Sequence, residues 1–562
     1  MKKPISLSFV PASPLRSAAT ILSAILLLLS PMANAQSPNP LYHHLPPSAN
    51  HIYSVRLGQI IAKGELGGII QGIPIPKDPH GTWFMNILTN PASSGVDLDH
   101  EILIAQTTAS GDGADTLSYV QIFVPLTDSA KFRSSLKEIK NQHLHRVPGK
   151  GVTTYEKMEA MAWNDQLLVM TEASSTVPPS ISDSATAYMP GKTPNEKLAP
   201  KPKPGTTIHR PTGELAVEKS LSALAGFPNS PWLTDQRFLT GFATNEDVHI
   251  WSIRMDFMTM ISKLAKKMVA KNPAMQGKPF PDYNNMGQIP HPPVLSTFSF
   301  ENGRIVFRAT TFNKPEDAAV LQRVYDRPIN KDLLARVPGG LLLGWGAAHL
   351  NTAAFPELLD KYGTRHMLDS ILGKKGLSVS DISGIFGGDF LIAALADTTA
   401  TTDTTKKKVQ VYFVATLGDP AKMMQVAAKV VASNGVSDDT AQMAKMKKLA
   451  DKLVIRDNLL VISGSKELAN KYFDNQARRP TGPIETDKSF QRLVIDLKAV
   501  STYAAASMAS NPKAMVMARI LQQLDKVELN SMSDGNNTVM TFQIVTGDPS
   551  TNSLKTLVSL MH

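Results

Sequence analysis

Asp165-Gln166-Leu167-Leu168-Val169-Met170 has a counterpart in Asp457-Asn458-Leu459-Leu460-Val461-Ile462, at an offset of 292 residues. Working outward, Ile102-Leu103-Ile104-Ala105 matches Phe390-Leu391-Ile392-Ala393, at an offset of 288. Val120-Gln121-Ile122-Phe123 matches Val409-Gln410-Val411-Tyr412 at 289, and Asp128-Ser129-Ala130-Lys131 matches Asp419-Pro420-Ala421-Lys422 at 291. The order is kept while the offset drifts by four residues, so the chain reads as a tandem duplication.

The physical pattern repeats with the letters. Phe132, Leu136 and Ile139 follow Asp128 at helical spacing, as Met423, Ala427 and Val430 follow Asp419. Asp128 and Asp419 are candidate N-caps, and Pro420 suits a first helical turn. Leu453-Val454-Ile455 and Leu459-Leu460-Val461-Ile462 flank Arg456-Asp457-Asn458 as a hairpin would. Thr107 to Thr116 and Asp397 to Thr405 are polar connections between strands. Val306 to Phe312 before Asn313-Lys314-Pro315 parallels Val539 to Val545 before Asp548-Pro549, each a strand leading to an Asx–Pro helix start.

The expected fold is α+β: a tandem duplication of two related copies, with antiparallel sheets packed against amphipathic helices. A doubly wound α/β fold is the alternative. Residues 46–330 form copy one, with a Pro/Ser-rich linker or loop at 174–213, and residues 331–562 form copy two. Residues 36–45 are expected to be a flexible N-terminal tail.

Residues 1–35 read as a signal peptide: Lys2, Lys3 and Arg16, the apolar run Ala19–Leu29, then Ala33-Asn34-Ala35 before Gln36. No later stretch is long and apolar enough to span a bilayer, so no transmembrane span is expected after cleavage. Of 562 residues, none is cysteine, which excludes disulfides, thiolate metal sites and a lipid anchor on cysteine. The formal charge of +10 is spread along the chain, and no nucleic-acid motif accompanies it.

Pro46-Pro47, the strand His51–Leu57, Lys63-Gly64-Glu65-Leu66, Asn90-Pro91, Ser94-Gly95-Val96-Asp97 and Gly387-Gly388-Asp389-Phe390-Leu391-Ile392-Ala393 form a further pattern. With these the chain resembles the exported bacterial envelope family classed as domain of unknown function 4836. The resemblance implies an envelope protein and supplies no catalytic residues. Many such proteins are lipoproteins, whereas this chain lacks the lipid-accepting cysteine.

Chemistry-bearing motifs are sparse. Among thirteen histidines, His43-His44, His51 and the His143/His145 pair have no catalytic metal spacing. Asp97, Asp99 and His100 read as a polar turn rather than a cation site. Asp112 and Asp115 lack calcium-loop spacing. Ser134-Ser135-Leu136-Lys137 and Ser463-Gly464-Ser465-Lys466 spell S-x-x-K without the companion elements of that chemistry. Gly344-Trp345-Gly346 serves a strand or turn. Asp256 to Lys271 is an amphipathic helix with a lysine face, read as core-packed rather than membrane-bound.

No catalytic, cofactor-binding or metal residue is therefore assigned, and no cofactor is expected. The reading leans away from an enzyme, toward a binding or scaffolding protein in the periplasm or outer cell envelope of a Gram-negative bacterium. Its partner would be an envelope protein, a lipid or a polysaccharide, and not nucleic acid. The alternatives are an envelope hydrolase assembled from distant segments and a lipid- or membrane-surface-associated protein.

Overall fold

The computed structural model of the chain describes residues 39–67, 86–108, 116–136, 145–147, 152–154, 159–176, 213–253, 292–361, 363–373, 376–396, 409–433, 451–475, 488–507 and 518–561. The first half contributes strands β1 (His51–Val55), β2 (Ile102–Thr108), β3 (Thr116–Pro125), β4 (His145–Val147), β5 (Val152–Thr154), β6 (Glu159–Trp163), β7 (Leu167–Thr176), β8 (Val248–Ser252), β9 (Val294–Glu301) and β10 (Arg304–Phe312). The second contributes β11 (Leu341–His349), β12 (Phe386–Ala396), β13 (Val409–Leu417), β14 (Leu453–Arg456), β15 (Leu459–Ile462), β16 (Ser489–Asp496), β17 (Leu524–Asp534) and β18 (Asn537–Thr546).

These eighteen strands form one sheet. Every ladder between them is antiparallel, which removes the doubly wound alternative. In the first half the neighbours run β6, β7, β3, β2, β1, β8, β9, β10, with β5 and β4 beyond β6. In the second they run β14, β15, β13, β12, β11, β16, β17, β18. The order of neighbours is the same in both.

The register is equally informative. Ile52 pairs with Ala105 and Trp251, and Ala105 with Gln121. Trp345 pairs with Ala393 and Val494, and Ala393 with Tyr412. Gln121 thus holds the ladder position of Tyr412, so Val120–Phe123 stands opposite Val411–Val414 rather than Val409–Tyr412. The letter match slipped by two residues, and a period of two hides such a slip because it preserves the face.

The halves join through β10 and β18. From Trp251 the ladder reaches Leu295 and Thr310; from Val494 it reaches Glu528 and Gln543. Across the joint Thr310 meets Val539, Val306 meets Gln543, and Arg308 meets Thr541. Residues of equal ladder position therefore face each other at Arg308 and Thr541, the geometry of a local two-fold axis.

Each half has its main core on one sheet face, under helices. In the first, Ile52, Leu103, Ala105, Phe123, Val169 and Trp251 pack with Phe238, Phe242 and Trp232. In the second, Trp345, Leu391, Ala393, Tyr412, Val414 and Val461 pack with Leu333, Leu334, Ala469 and Tyr472. The helices are capped much as expected. Asp128 Oδ1 accepts from the N–H of Ala130 and Lys131, each at 2.9 Å, and Asp419 Oδ1 from Lys422 N–H at 2.8 Å. The β14–β15 turn places Asp457 at φ 54° and Asn458 at φ 57°, as a two-residue hairpin requires.

Two expectations need correction. Pro40–His44 is a 3-10 helix rather than a loose tail, because Tyr42 and Leu45 are buried in the first-half core. Asp548 does not start a helix: its Oδ1 accepts from Ser550 N–H at 2.9 Å in an Asx turn, and the last helix spans Ser553–Met561. Residues 1–35, read as a signal peptide, Asp256–Lys271 and most of the 174–213 segment lie outside the described residues. No helix of the described residues is long and apolar enough to cross a membrane.

Candidate functional site

Four residues before Ala105 and Ala393, which hold equal ladder positions, each half places a buried carboxylate. In the first half it is Glu101, which accepts hydrogen bonds from Asn39 Nδ2, the Tyr42 hydroxyl at 3.2 Å and the Ser54 hydroxyl. Burial, with the neighbouring Glu101 charge, pushes the Tyr42 hydroxyl far above its ordinary range, so it remains a donor. Asn39 also caps the 3-10 helix, its Oδ1 accepting from Leu41 N–H at 2.9 Å. Glu101 thereby clasps the leading segment onto the sheet.

In the second half the carboxylate is Asp389. Asn330 caps the helix Lys331–Ala335 and places its Nδ2 3.4 Å from Asp389 Oδ2. Arg327 Nη2 lies 3.0 Å from the same oxygen, and His349 Nδ1 2.8 Å from Oδ1. His349 Nε2 reaches Asp326 Oδ1 at 2.6 Å, closing a cluster of two carboxylates, an imidazole and a guanidinium. Asp326, Arg327 and Asn330 belong to the connector between the halves, so the cluster fastens that connector to β11 and β12.

Beside the Glu101 clasp the first half opens a cleft of about 490 Å³. Its walls come from four separate segments: Asn39 to His44, the Asp97–His100 turn, Pro125-Leu126, and the β6–β7 turn with Asn164 and Gln166. Asp97 is consumed within its own turn. Its Oδ1 accepts from the N–H of Asp99 at 3.0 Å and of His100 at 3.3 Å, and its Oδ2 lies 2.7 Å from His100 Nδ1. His44 Nδ1 lies 2.8 Å from the Ala223 carbonyl. Among the described residues lining the cleft there is no serine or threonine.

The opposite sheet face of the second half carries an apolar strip. Leu493, Gly346, Ile392 and Phe413 are successive partners across β16, β11, β12 and β13. A Cβ on Gly346 would lie 3.3 Å from both Ile392 Cγ2 and Leu493 Cδ1, so those side chains close over the glycine. Leu493 is 38% exposed, Ile392 50%, Val411 44% and Val409 42%. In the first half Phe132 and Leu136 pack over the matching face, against Ile122, Met161 and Met170.

The sequence motifs distribute as follows. His44, Asp97 and His100 come together around the cleft, although among the described residues no group of three His, Asp or Glu side chains is placed to hold a metal. The Ser463 hydroxyl donates to the Val411 carbonyl at 3.0 Å, and Ser465 caps the helix Lys466–Asp474. Lys137, His143, Asp112 and Asp115 lie outside the described residues. Gly344 sits in β11, where a Cβ would come 2.9 Å from the Val494 carbonyl oxygen.

No family model and no curated protein matches the chain. A solved structure titled "Structure of crystal form I of TP0453" is similar at 10% identity and a TM-score of 0.26, covering 52% of this chain and 89% of that one.

Proposed function

We propose that this is an exported cell-envelope protein, built by tandem duplication, that binds or scaffolds another envelope component and performs no chemistry of its own. The apolar strip of Leu493, Ile392, Val411 and Val409 carries this reading. Large aliphatic side chains exposed side by side on one sheet face are the mark of an interaction surface, whereas isolated ones are ordinary. The duplication is supported by the shared strand order, the matched carboxylate clasps and the two-fold pairing at Arg308 and Thr541. The envelope address rests on the signal-peptide pattern and on the resemblance to the exported family.

The test is fractionation of cells producing the full chain. Ile392→Glu combined with Val411→Glu places two charges on the strip without touching either core. The wild-type chain is expected to sediment with envelope material and the variant to be recovered in the soluble fraction. Equal partition of a folded variant would sink the reading.

A further inference from the structure

We infer that the first-half cleft is a binding site for a neutral saccharide. The proposal goes beyond the apolar strip, which lies on another part of the sheet, and shares with the proposed function only the idea of a binding protein.

The groups that the cleft leaves unused define the ligand. The Asp97 carboxylate is spent on Asp99, His100 and the His100 ring, so the cleft offers no free anion from this residue. Ala223 O can only accept, so His44 Nδ1 must donate to it; Asp97 Oδ2 imposes the same on His100 Nδ1. In the neutral rings both Nε2 atoms then keep a lone pair. Asn164 turns its Oδ1 inward, accepting from the N–H of Gln166 at 2.9 Å and of Leu167 at 2.8 Å, which leaves its amide NH₂ to donate. Gln166 adds a second amide.

Between these polar groups lie the hydrocarbon surfaces of Pro40, Leu126 and Leu167. A ligand with hydroxyls that both donate and accept, no net charge, and an apolar face satisfies the set. Sugar rings have this pattern, with hydroxyls at the rim and C–H groups on the faces. At about 490 Å³ the cleft is within the size range of small-ligand sites. The Glu101 clasp fixes the Asn39–His44 wall, so the site is preorganised rather than assembled on binding.

The experiment is calorimetric titration of the full chain with three neutral disaccharides, N,N′-diacetylchitobiose, maltose and lactose, and separately with Zn²⁺. At least one disaccharide should bind with Kd below ~1 mM. Gln166→Ala and His100→Ala should each weaken it about tenfold with Tm unchanged, because both side chains sit at the surface of the cleft. Ile392→Glu should bind sugar as the wild type does, so loss of envelope association and loss of sugar binding are read separately. Failure of all three disaccharides to saturate at about 10 mM, which corresponds to Kd above the range of specific sites, would overturn the proposal. So would Zn²⁺ binding that His44→Ala and His100→Ala abolish, because the two bare imidazole nitrogens would then be metal ligands.

Discussion

Glu101 and Asp389 stand equally far before Ala105 and Ala393 and differ in what they hold. Glu101 is met by neutral donors, whereas Asp389 faces the His349 ring and the Arg327 guanidinium. Removing Asp389 strands the buried His349 ring and takes an acceptor from Arg327, which stays open to solvent, at up to about 3 kcal/mol. Losing a carboxylate surrounded by rotatable neutral donors costs about 1–2 kcal/mol. Urea unfolding should therefore rank Asp389→Ala as more damaging than Glu101→Ala. The latter should also change Trp232 fluorescence, since Trp232 Nε1 donates to the carbonyl of Pro46 at 2.9 Å in the segment that Glu101 secures. His249 gives a second residue-scale expectation. Burial, aided by the Arg56 charge, holds its ring below the ordinary value of 6.5. The unfolded chain then takes up the proton first, so the stabilisation present above about pH 6.5 is lost as pH falls toward the lower folded value. His249 stacks on Phe242 at 5.2 Å, so His249→Phe keeps the contact and removes the proton. The slope of unfolding free energy against pH should flatten by up to about 1.4 kcal/mol per unit below pH 6.5. An unchanged slope would mean that the ring does not differ between the two states.

At the scale of elements, the sequence disclosed what periodicity encodes. Apolar stretches repeated between the halves marked β2, β3, β12 and β13, and Asp128 and Asp419 with the helical spacing after them marked two helix starts. It misplaced what periodicity cannot encode. Register within β3 slipped by two residues because either pairing presents the same face. The Asn39 and Asn330 caps went unread because their partners differ in letter, glutamate against aspartate. A signal was present, however: Leu45-Pro46 answers Val337-Pro338 at the offset of 292 already found for the β7 and β15 stretches. The cleft was illegible for a different reason. His44, His100 and Gln166 are far apart in the chain and meet only because three turns gather at one end of the sheet. The apolar strip was equally hidden, since Ile392 and Leu493 look like any core strand residue until the face they occupy is known.

At the scale of the whole molecule, the question is whether two halves with separate cores unfold as one. Each half buries its own cluster, and the two meet at the β10–β18 ladder, at the connector clasped by Asp389, and at helix Pro315–Val324, whose Asp317 and Arg323 pair with Lys361 and Glu357. They meet also at Tyr325, which stacks on Phe490 at 4.0 Å, at Asn552, whose Nδ2 donates to the Phe300 carbonyl at 2.9 Å, and where helix Leu57–Gly64 touches Ser553–Met561. In that contact Lys555 Nζ lies 2.8 Å from Glu65 Oε1, both exposed, and such pairs contribute about 0–1 kcal/mol. The ladder is the most extended of these joints, with nine residue pairs. Thr541 sits at its centre, paired with Arg308 on one side and Asn530 on the other. Proline there removes a ladder donor from a strand with neighbours on both sides and cannot be moved to an edge. Thr541→Pro is expected to cost about 3 kcal/mol or more and to act on the joint before either core. Calorimetry should show the wild-type chain melting in one transition and the variant in two. Limited proteolysis of the variant should then yield fragments that divide near the connector at Tyr325 to Asn330. A variant that still melts in one transition at lower temperature would show that the joints outside the shared strands suffice to bind the halves into a cooperative unit.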